Sequence, residues 1–187
     1  MFKIKERSPI SQRFSLGRPL RCLSVVLTTV PLLFATACTT TDTTQYEATA
    51  LTTYTWQVDY TTTVGGGDDR PPRIEEFEST SLLNRNGQPP DGAVTGPDDQ
   101  GLWWAELPPR PSLEEMEAQK QASERFGTPR LNKSVDYSLT FDKAGETVTL
   151  PTNYSVYSQI ARLYPDQPPL ELTLGVEESS VEKAEPK

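Results

Sequence analysis

Adjacent carboxylates are the commonest reactive grouping in this chain: Asp68-Asp69, Glu75-Glu76, Asp98-Asp99 and Glu114-Glu115. Glycoside hydrolysis uses two carboxylates, but it needs them held across a cleft, with one kept protonated by apolar surroundings. Trp103 or Trp104 would give such a cleft a sugar-stacking wall. Neighbouring acids in Gly- and Pro-rich loops are ordinarily solvated, and that is the expectation for these pairs. Calcium ligation is the second chemistry open to them, through Asp68, Asp69, Asp91, Asp98 and Asp99, if two acidic loops meet in space. None shows the spaced D-x-D-x-D-G pattern of an EF-hand, and Asp in such loops more often closes an Asx-turn.

The chain has no histidine, and Cys38 is the second and last of its cysteines. Ser-His-Asp and Cys-His catalysis, zinc held by nitrogen or sulfur, histidine-ligated haem and blue copper are therefore excluded. Ser180 and Lys183 match the S-x-x-K spacing of penicillin-recognising enzymes, without the S-D-N or K-T-G partner motifs. The expectation is a protein with no catalytic set and no metal. Trp103 and Trp104 are the remaining side chains of interest. Strand neighbours point to opposite faces, so both are buried only if the sheet is covered on both sides. That arrangement puts one ring in the core and the other under a helix or the 84–100 loop. Otherwise one indole is exposed as a partner-binding patch, since aromatic residues are enriched at interface hot spots.

These residues need elements to position them. From Leu51 the chain alternates strictly, with Tyr54, Trp56, Val58 and Tyr60 on one face and Thr53, Thr55, Gln57 and Asp59 on the other, the pattern of a half-buried strand. Gly and Pro at 65–72 break it, and 73–83 reads as a more polar strand. Residues 84–100 form a long Gly-, Pro- and Asp-rich connection, which is either functional or disordered. Residues 102–107 read as a third strand. Ser112 with Glu115 has the spacing of a capping box, opening a helix that runs to a stop at Gly127. Residues 133–150 read as a β-hairpin. Thr152 or Asn153 caps a short helix carrying Tyr154, Tyr157, Ile160 and Tyr164, and residues 170–176 form the last strand. The pattern predicts a single small α+β domain over 51–176, mainly antiparallel sheet with one or two short helices. Outside it, residues 38–50 read as a Thr-rich tether with a reach of roughly 20 Å, and 177–187 as an acidic flexible tail.

Residues 1–21 carry six basic side chains against Glu6 alone, and the run at 23–35, LSVVLTTVPLLFA, is uncharged. That is the order of a secretory signal, and the run falls short of the roughly 20 residues a membrane-spanning helix needs. Its end, Ala35-Thr36-Ala37-Cys38, resembles the lipobox of bacterial lipoprotein precursors, with Ala35 where leucine is commonest. The resemblance covers residues 1–38 only. It implies signal-peptidase recognition of Ala35, Thr36 and Ala37 and a covalent lipid on Cys38, with no other cofactor. Thr39, standing where aspartate would mark inner-membrane retention, implies an outer-membrane location facing the periplasm.

Residues 38–187 hold 12 basic and 25 acidic side chains, a net charge of −13. Such a surface repels nucleic acid and anionic headgroups alike, so the lipid is expected to hold the protein to the membrane unaided. With Cys22 in the discarded segment, the remaining chain has no internal disulfide. The expected function is that of a membrane-anchored bacterial envelope lipoprotein, a non-enzymatic accessory or interaction module with an envelope protein as partner. A small-ligand or calcium-binding module is the alternative, with loops 65–72 and 84–100 as its mouth and Tyr54, Trp56 and Trp103 as lining. A carboxylate-dependent hydrolase of envelope polysaccharide is the third class.

Overall fold

The computed structural model describes residues 39–62 and 71–187. The lipobox residues Ala35, Thr36, Ala37 and Cys38, and the acidic pair Asp68 and Asp69, lie outside the described residues. In chain order the elements are β1 (Thr40–Thr43), β2 (Tyr46–Thr62), β3 (Arg73–Arg85), α1 (Leu113–Ala118), β4 (Glu124–Phe126), β5 (Arg130–Lys143), β6 (Glu146–Pro151), α2 (Tyr154–Leu163), β7 (Leu170–Leu174) and β8 (Val181–Pro186).

β2 is the spine of the domain. Tyr46, Ala48, Ala50, Thr52, Tyr54, Val58 and Tyr60 are buried on one face, extending back to Tyr46 the period-two pattern that the sequence shows from Tyr54 to Tyr60. β3 pairs along one side of it, from Thr49 opposite Arg85 to Tyr60 opposite Arg73. On the other side β5 pairs with Tyr46 through Gln57, and β4 takes over at Tyr60–Thr62. β6 closes the predicted hairpin on β5, with Ala144 and Gly145 at positive φ in its turn. The larger sheet is therefore ordered β3-β2-β5-β6, and every pairing is antiparallel.

A second sheet, ordered β1-β7-β8, packs on the inner face of the first. The Leu170 end of β7 sits by Tyr46, whose hydroxyl donates to the Pro168 carbonyl at 2.8 Å. Its Leu174 end faces Val148 and Leu150 of β6 across a small cleft, so the strand crosses the larger sheet instead of running along it. Between them lies the main core, with Ala48, Ala50, Leu139 and Phe141 from the larger sheet, Leu170, Leu172 and Leu174 from β7, and Val156, Tyr157 and Ile160 from α2. Each large aliphatic or aromatic side chain fully buried there contributes about 1.5–3 kcal/mol. A smaller cluster of Val58, Tyr60 and Met116, flanked by Phe77 and Phe126, closes the far end of β2. The architecture is a small, mainly antiparallel α+β domain with two short helices. Among the described residues no helix is long and apolar enough to cross a membrane.

Four boundaries differ from expectation. Residues 39–50 are not a tether: β1 pairs with β7, and Tyr46, Ala48 and Ala50 already alternate into the core. Residues 177–187 are not a free tail, because β8 pairs with β7 and buries Val181 and Ala184. The register slips once there, with Leu172 opposite Ala184 and Leu174 opposite Val181. That bulge lets two residues three apart both face inward, which hides the strand from a period-two reading. The segment at 102–107 forms only an isolated bridge between Thr95 and Trp104. Finally, the helix opened by the Ser112–Glu115 capping box ends at Ala118, and Phe126 is drawn through β4 onto Tyr60, with ring centroids 6.1 Å apart. The helix's apolar stripe was too thin to hold it together beyond Met116.

Candidate functional site

The long connection between β3 and α1 is ordered and lies across the inner face of the larger sheet. Buried polar side chains hold it there. The Asn84 side-chain amide donates to the carbonyls of Ala50 at 3.2 Å and Trp103 at 3.1 Å, while its Oδ1 accepts the Trp103 N–H at 2.8 Å. Asn86 exchanges a pair of bonds with Ala48, its Oδ1 taking the Ala48 N–H at 2.9 Å and its own N–H reaching the Ala48 carbonyl at 2.8 Å. The Thr52 hydroxyl lies 2.8 Å from the Trp103 carbonyl. Further along, the Thr80 hydroxyl donates to the Glu106 carbonyl at 2.6 Å and the Trp56 indole to that of Pro108 at 2.9 Å. Small residues at 48, 50 and 52 on β2 let the loop backbone come this close, and the amides supply the partners that its buried peptide groups require.

Asp98 organises the loop from within. Its Oδ1 accepts the N–H groups of Gln100 and Leu102, and its Oδ2 accepts the Trp104 indole N–H at 2.8 Å. Trp104 is only 6 % exposed, tilted on Tyr54 with centroids 4.8 Å apart, and Lys133 caps both rings at about 5 Å. A cation over an aromatic pair adds attraction to the stack. Trp103 is instead half-buried, packed against Gly96 of the loop, where an added Cβ would lie 3.1 Å from the indole. The two tryptophans thus do opposite things: Trp104 is core and offers a partner little surface, while Trp103 keeps a partly open ring. Val94, bonded through its N–H to the Trp104 carbonyl, and Leu107 are exposed at 62 % and 57 %.

The other side of the loop faces α2 across an open cleft of about 470 Å³, lined by Gly87, Asp99, Gln100 and Gly101 on one wall and Tyr154, Tyr157, Ser158, Ala161 and Arg162 on the other. Arg162 folds back along its helix, donating from Nε to the Ser158 carbonyl at 3.0 Å, and has no carboxylate partner among the described residues. The Tyr157 hydroxyl is buried without a hydrogen bond of good geometry. Burial pushes its pKa up, offset in part by the backbone N–H of Gly87. Neither Arg162 nor Gly87 stood out in the sequence; only the capping pattern that placed α2 hinted at the wall that carries Arg162.

The residues of the expected chemistries are dispersed over the domain. Glu75 pairs with Arg73, while Glu76 accepts a bond from Gln57 at 3.0 Å. Glu114 and Glu115 lie in the first turn of α1, with Glu115 closing the capping box. Among the described residues two carboxyls are displaced from their usual pKa, Glu115 by Ser112 and Glu124 by Arg73, and both move down, away from what a general acid needs. Asp98 is engaged by its own turn, Asp91 and Asp99 are exposed, and no three His, Cys, Asp or Glu side chains among the described residues gather to hold a metal. Lys183 pairs with Glu185 and Ser180 donates to Glu182, so the S-x-x-K residues are engaged separately. Tyr54 lies under Trp104, and Trp56 is held to Pro108 with Arg110 over its ring at 5.8 Å. Of the three aromatics expected to line a mouth, Tyr54 and Trp56 instead floor and fasten the loop, and Trp103 belongs to the loop itself. Compared with known proteins, the chain matches no family model, no curated protein and no solved structure.

Proposed function

We propose that this chain is a lipid-anchored accessory protein of the bacterial cell envelope that acts by binding an envelope protein, and that the outer surface of the 86–111 loop around Trp103 is its contact. The observation that carries this reading is a contrast within one segment. The loop is fixed to β2 by Asn84, Asn86 and Thr52, yet it leaves Val94 and Leu107 exposed and Trp103 only half-buried. Loops on rigid scaffolds carry binding residues more often than other surfaces do, and a pre-ordered contact loses little entropy on association. The lipobox resemblance at Cys38 supports the envelope setting.

Crosslinking co-purification of the tagged, membrane-extracted protein tests the proposal. A stoichiometric envelope partner is expected, lost with Trp103→Ala and reduced with Cys38→Ala, while the melting temperature of Trp103→Ala stays close to that of the parent. Recovery of the bare protein, or a partner retained by Trp103→Ala together with Val94→Asp, would overturn it.

The α2 cleft favours a second reading, a small-ligand module. Arg162 on one wall and Asp99 on the other suit a compact ligand bearing both a carboxylate and an amine. Amino acids and short peptides raising the melting temperature of the parent, but not of Arg162→Glu, would support this reading, because a ligand that binds only the native state stabilises it.

A further inference from the structure

We infer that the anchored domain sits flush against the membrane, with the corner formed by Thr39 and the 174–180 turn pressed to the headgroups. The inference rests on the proposed acylation of Cys38 and goes beyond it, because it concerns how the domain is held once the lipid is in the bilayer. The Thr39 carbonyl accepts the Leu174 N–H at 2.8 Å, and Thr40 is already in register opposite Thr173. Consecutive Cα atoms are about 3.8 Å apart, so an acylated Cys38 lies one peptide from an ordered sheet. A flexible spacer would let the domain tumble above the bilayer; here the first residue after the lipid is held by a strand at the centre of its sheet.

The surface at that corner suits the position. Val176, two residues beyond Leu174, is an apolar side chain 70 % exposed, at the start of a short 3₁₀ turn (Val176–Glu178). Of the acids in and beside that turn, Glu178 is paired with Lys143 and Glu182 accepts a bond from Ser180, so Val176 stands in an acidic turn neutralised at Glu178. The opposite end of β2 lies far away: Tyr46 to Thr61 is fifteen residues of strand, about 50 Å at a rise of roughly 3.3 Å per residue.

Depth-dependent fluorescence quenching tests this on the full-length protein, extracted with its lipid and reconstituted in phosphatidylethanolamine–phosphatidylglycerol vesicles carrying nitroxide headgroups. Labels are placed through Val176→Cys, through Ser179→Cys as a second probe of the same corner, and through Thr61→Cys at the far end. The expected result is loss of most emission at 176 and 179 and none at 61. Inserting ten Gly and Ser residues between Cys38 and Thr39 should abolish the difference while the protein stays membrane-bound. The mass of the amino-terminal peptide reads acylation separately. Acylated protein with equal quenching at all three sites would overturn the flush placement alone; an unmodified Cys38 would overturn the anchor and this inference with it.

Discussion

Asn84 grips Trp103 by both ends of one residue, its side-chain oxygen taking the Trp103 N–H at 2.8 Å and its nitrogen donating to the Trp103 carbonyl at 3.1 Å. A side-chain amide here replaces the strand partner that residues 102–107 never acquire. Without Asn84 the Trp103 carbonyl keeps the Thr52 hydroxyl at 2.8 Å, but the Trp103 N–H loses the acceptor that this fully buried side chain supplies. Each buried group left without a partner costs about 1–3 kcal/mol. Asn84→Ala should therefore destabilise the domain by roughly 1–3 kcal/mol, at about 2–4 °C of melting temperature per kcal/mol for a chain of this size. Tryptophan fluorescence should report the loop's release in the same variant. An unchanged melt would show that the loop is held by its other contacts.

Gly87 and Gly101 both have positive φ, +70° and +76°, but only one is crowded. A Cβ at Gly87 would come 2.8 Å from the Ala161 Cβ of α2, whereas one at Gly101 meets nothing within 4 Å. Gly101→Ala should show backbone strain alone, roughly 1–2 kcal/mol. Gly87→Ala should cost more, because it also pushes α2 from the loop and opens the cleft. Adding Ala161→Gly to Gly87→Ala separates the two effects: part of the lost stability should return in a urea melt, despite the roughly 1 kcal/mol that glycine costs a helix interior. No recovery would place the whole cost in the backbone.

Much of the fold was legible because its signals were local. The alternation from Tyr54 to Tyr60 gave the spine, the capping pairs at Ser112 and Asn153 gave both helix starts, and the turn at 142–146 gave the hairpin. The losses share a cause in long-range packing. Ala48 and Ala50 look like tether residues because alanine has little strand propensity, and they are small because α2 and β7 press on them. Val181 and Ala184 look like tail residues because a bulge spoils their period. For the candidate site, the sequence expected Trp103 and Trp104 to differ through strand alternation; they do differ in burial, but in a loop that forms only an isolated bridge. What holds the loop was invisible, since Asn84, Asn86 and Thr52 are polar residues in a strand and turn, with nothing local to show that they are buried.

Glu124 makes a forked pair with Arg73, Nε to Oε1 at 3.1 Å and Nη2 to Oε2 at 2.8 Å, and also accepts the Gln121 N–H. The Arg73 hydrogen bond, then the Gln121 backbone, hold its carboxyl below the ordinary 4.5. A depressed carboxyl contributes stability above its unfolded pKa and loses it as pH falls through the folded value. Stability should thus decline below about 4.5, and Glu124→Gln should be less stable at neutral pH with a shallower decline in acid. Ser112→Ala should flatten the remaining slope through Glu115, whose carboxyl is held down by Ser112. Urea midpoints measured across that range decide it; parallel curves for parent and Glu124→Gln would assign the acid loss elsewhere.

The carboxyl-terminal strand gives the sharpest test of whether residues 177–187 belong to the fold. Val181 and Ala184 are both 0 % exposed, and the Val181 carbonyl accepts the Thr152 hydroxyl at 2.6 Å, joining β8 to the start of α2. Removing residues 181–187 would strip β7 of one neighbour and uncover Leu172 and Leu174, which oppose Ala184 and Val181. A mobile tail could be cut without effect; this strand cannot. Val181→Ala should cost about 1–3 kcal/mol, and the truncation more than any single substitution proposed above. Lys187→Ala, which deletes only the exposed pair with Asp42, should leave the urea midpoint nearly unchanged. Hydrogen exchange provides the direct reading: amides of β8 protected to the same degree as those of β7 would place both in one cooperative unit. Rapid exchange confined to 181–187 would return that segment to the status of a tail.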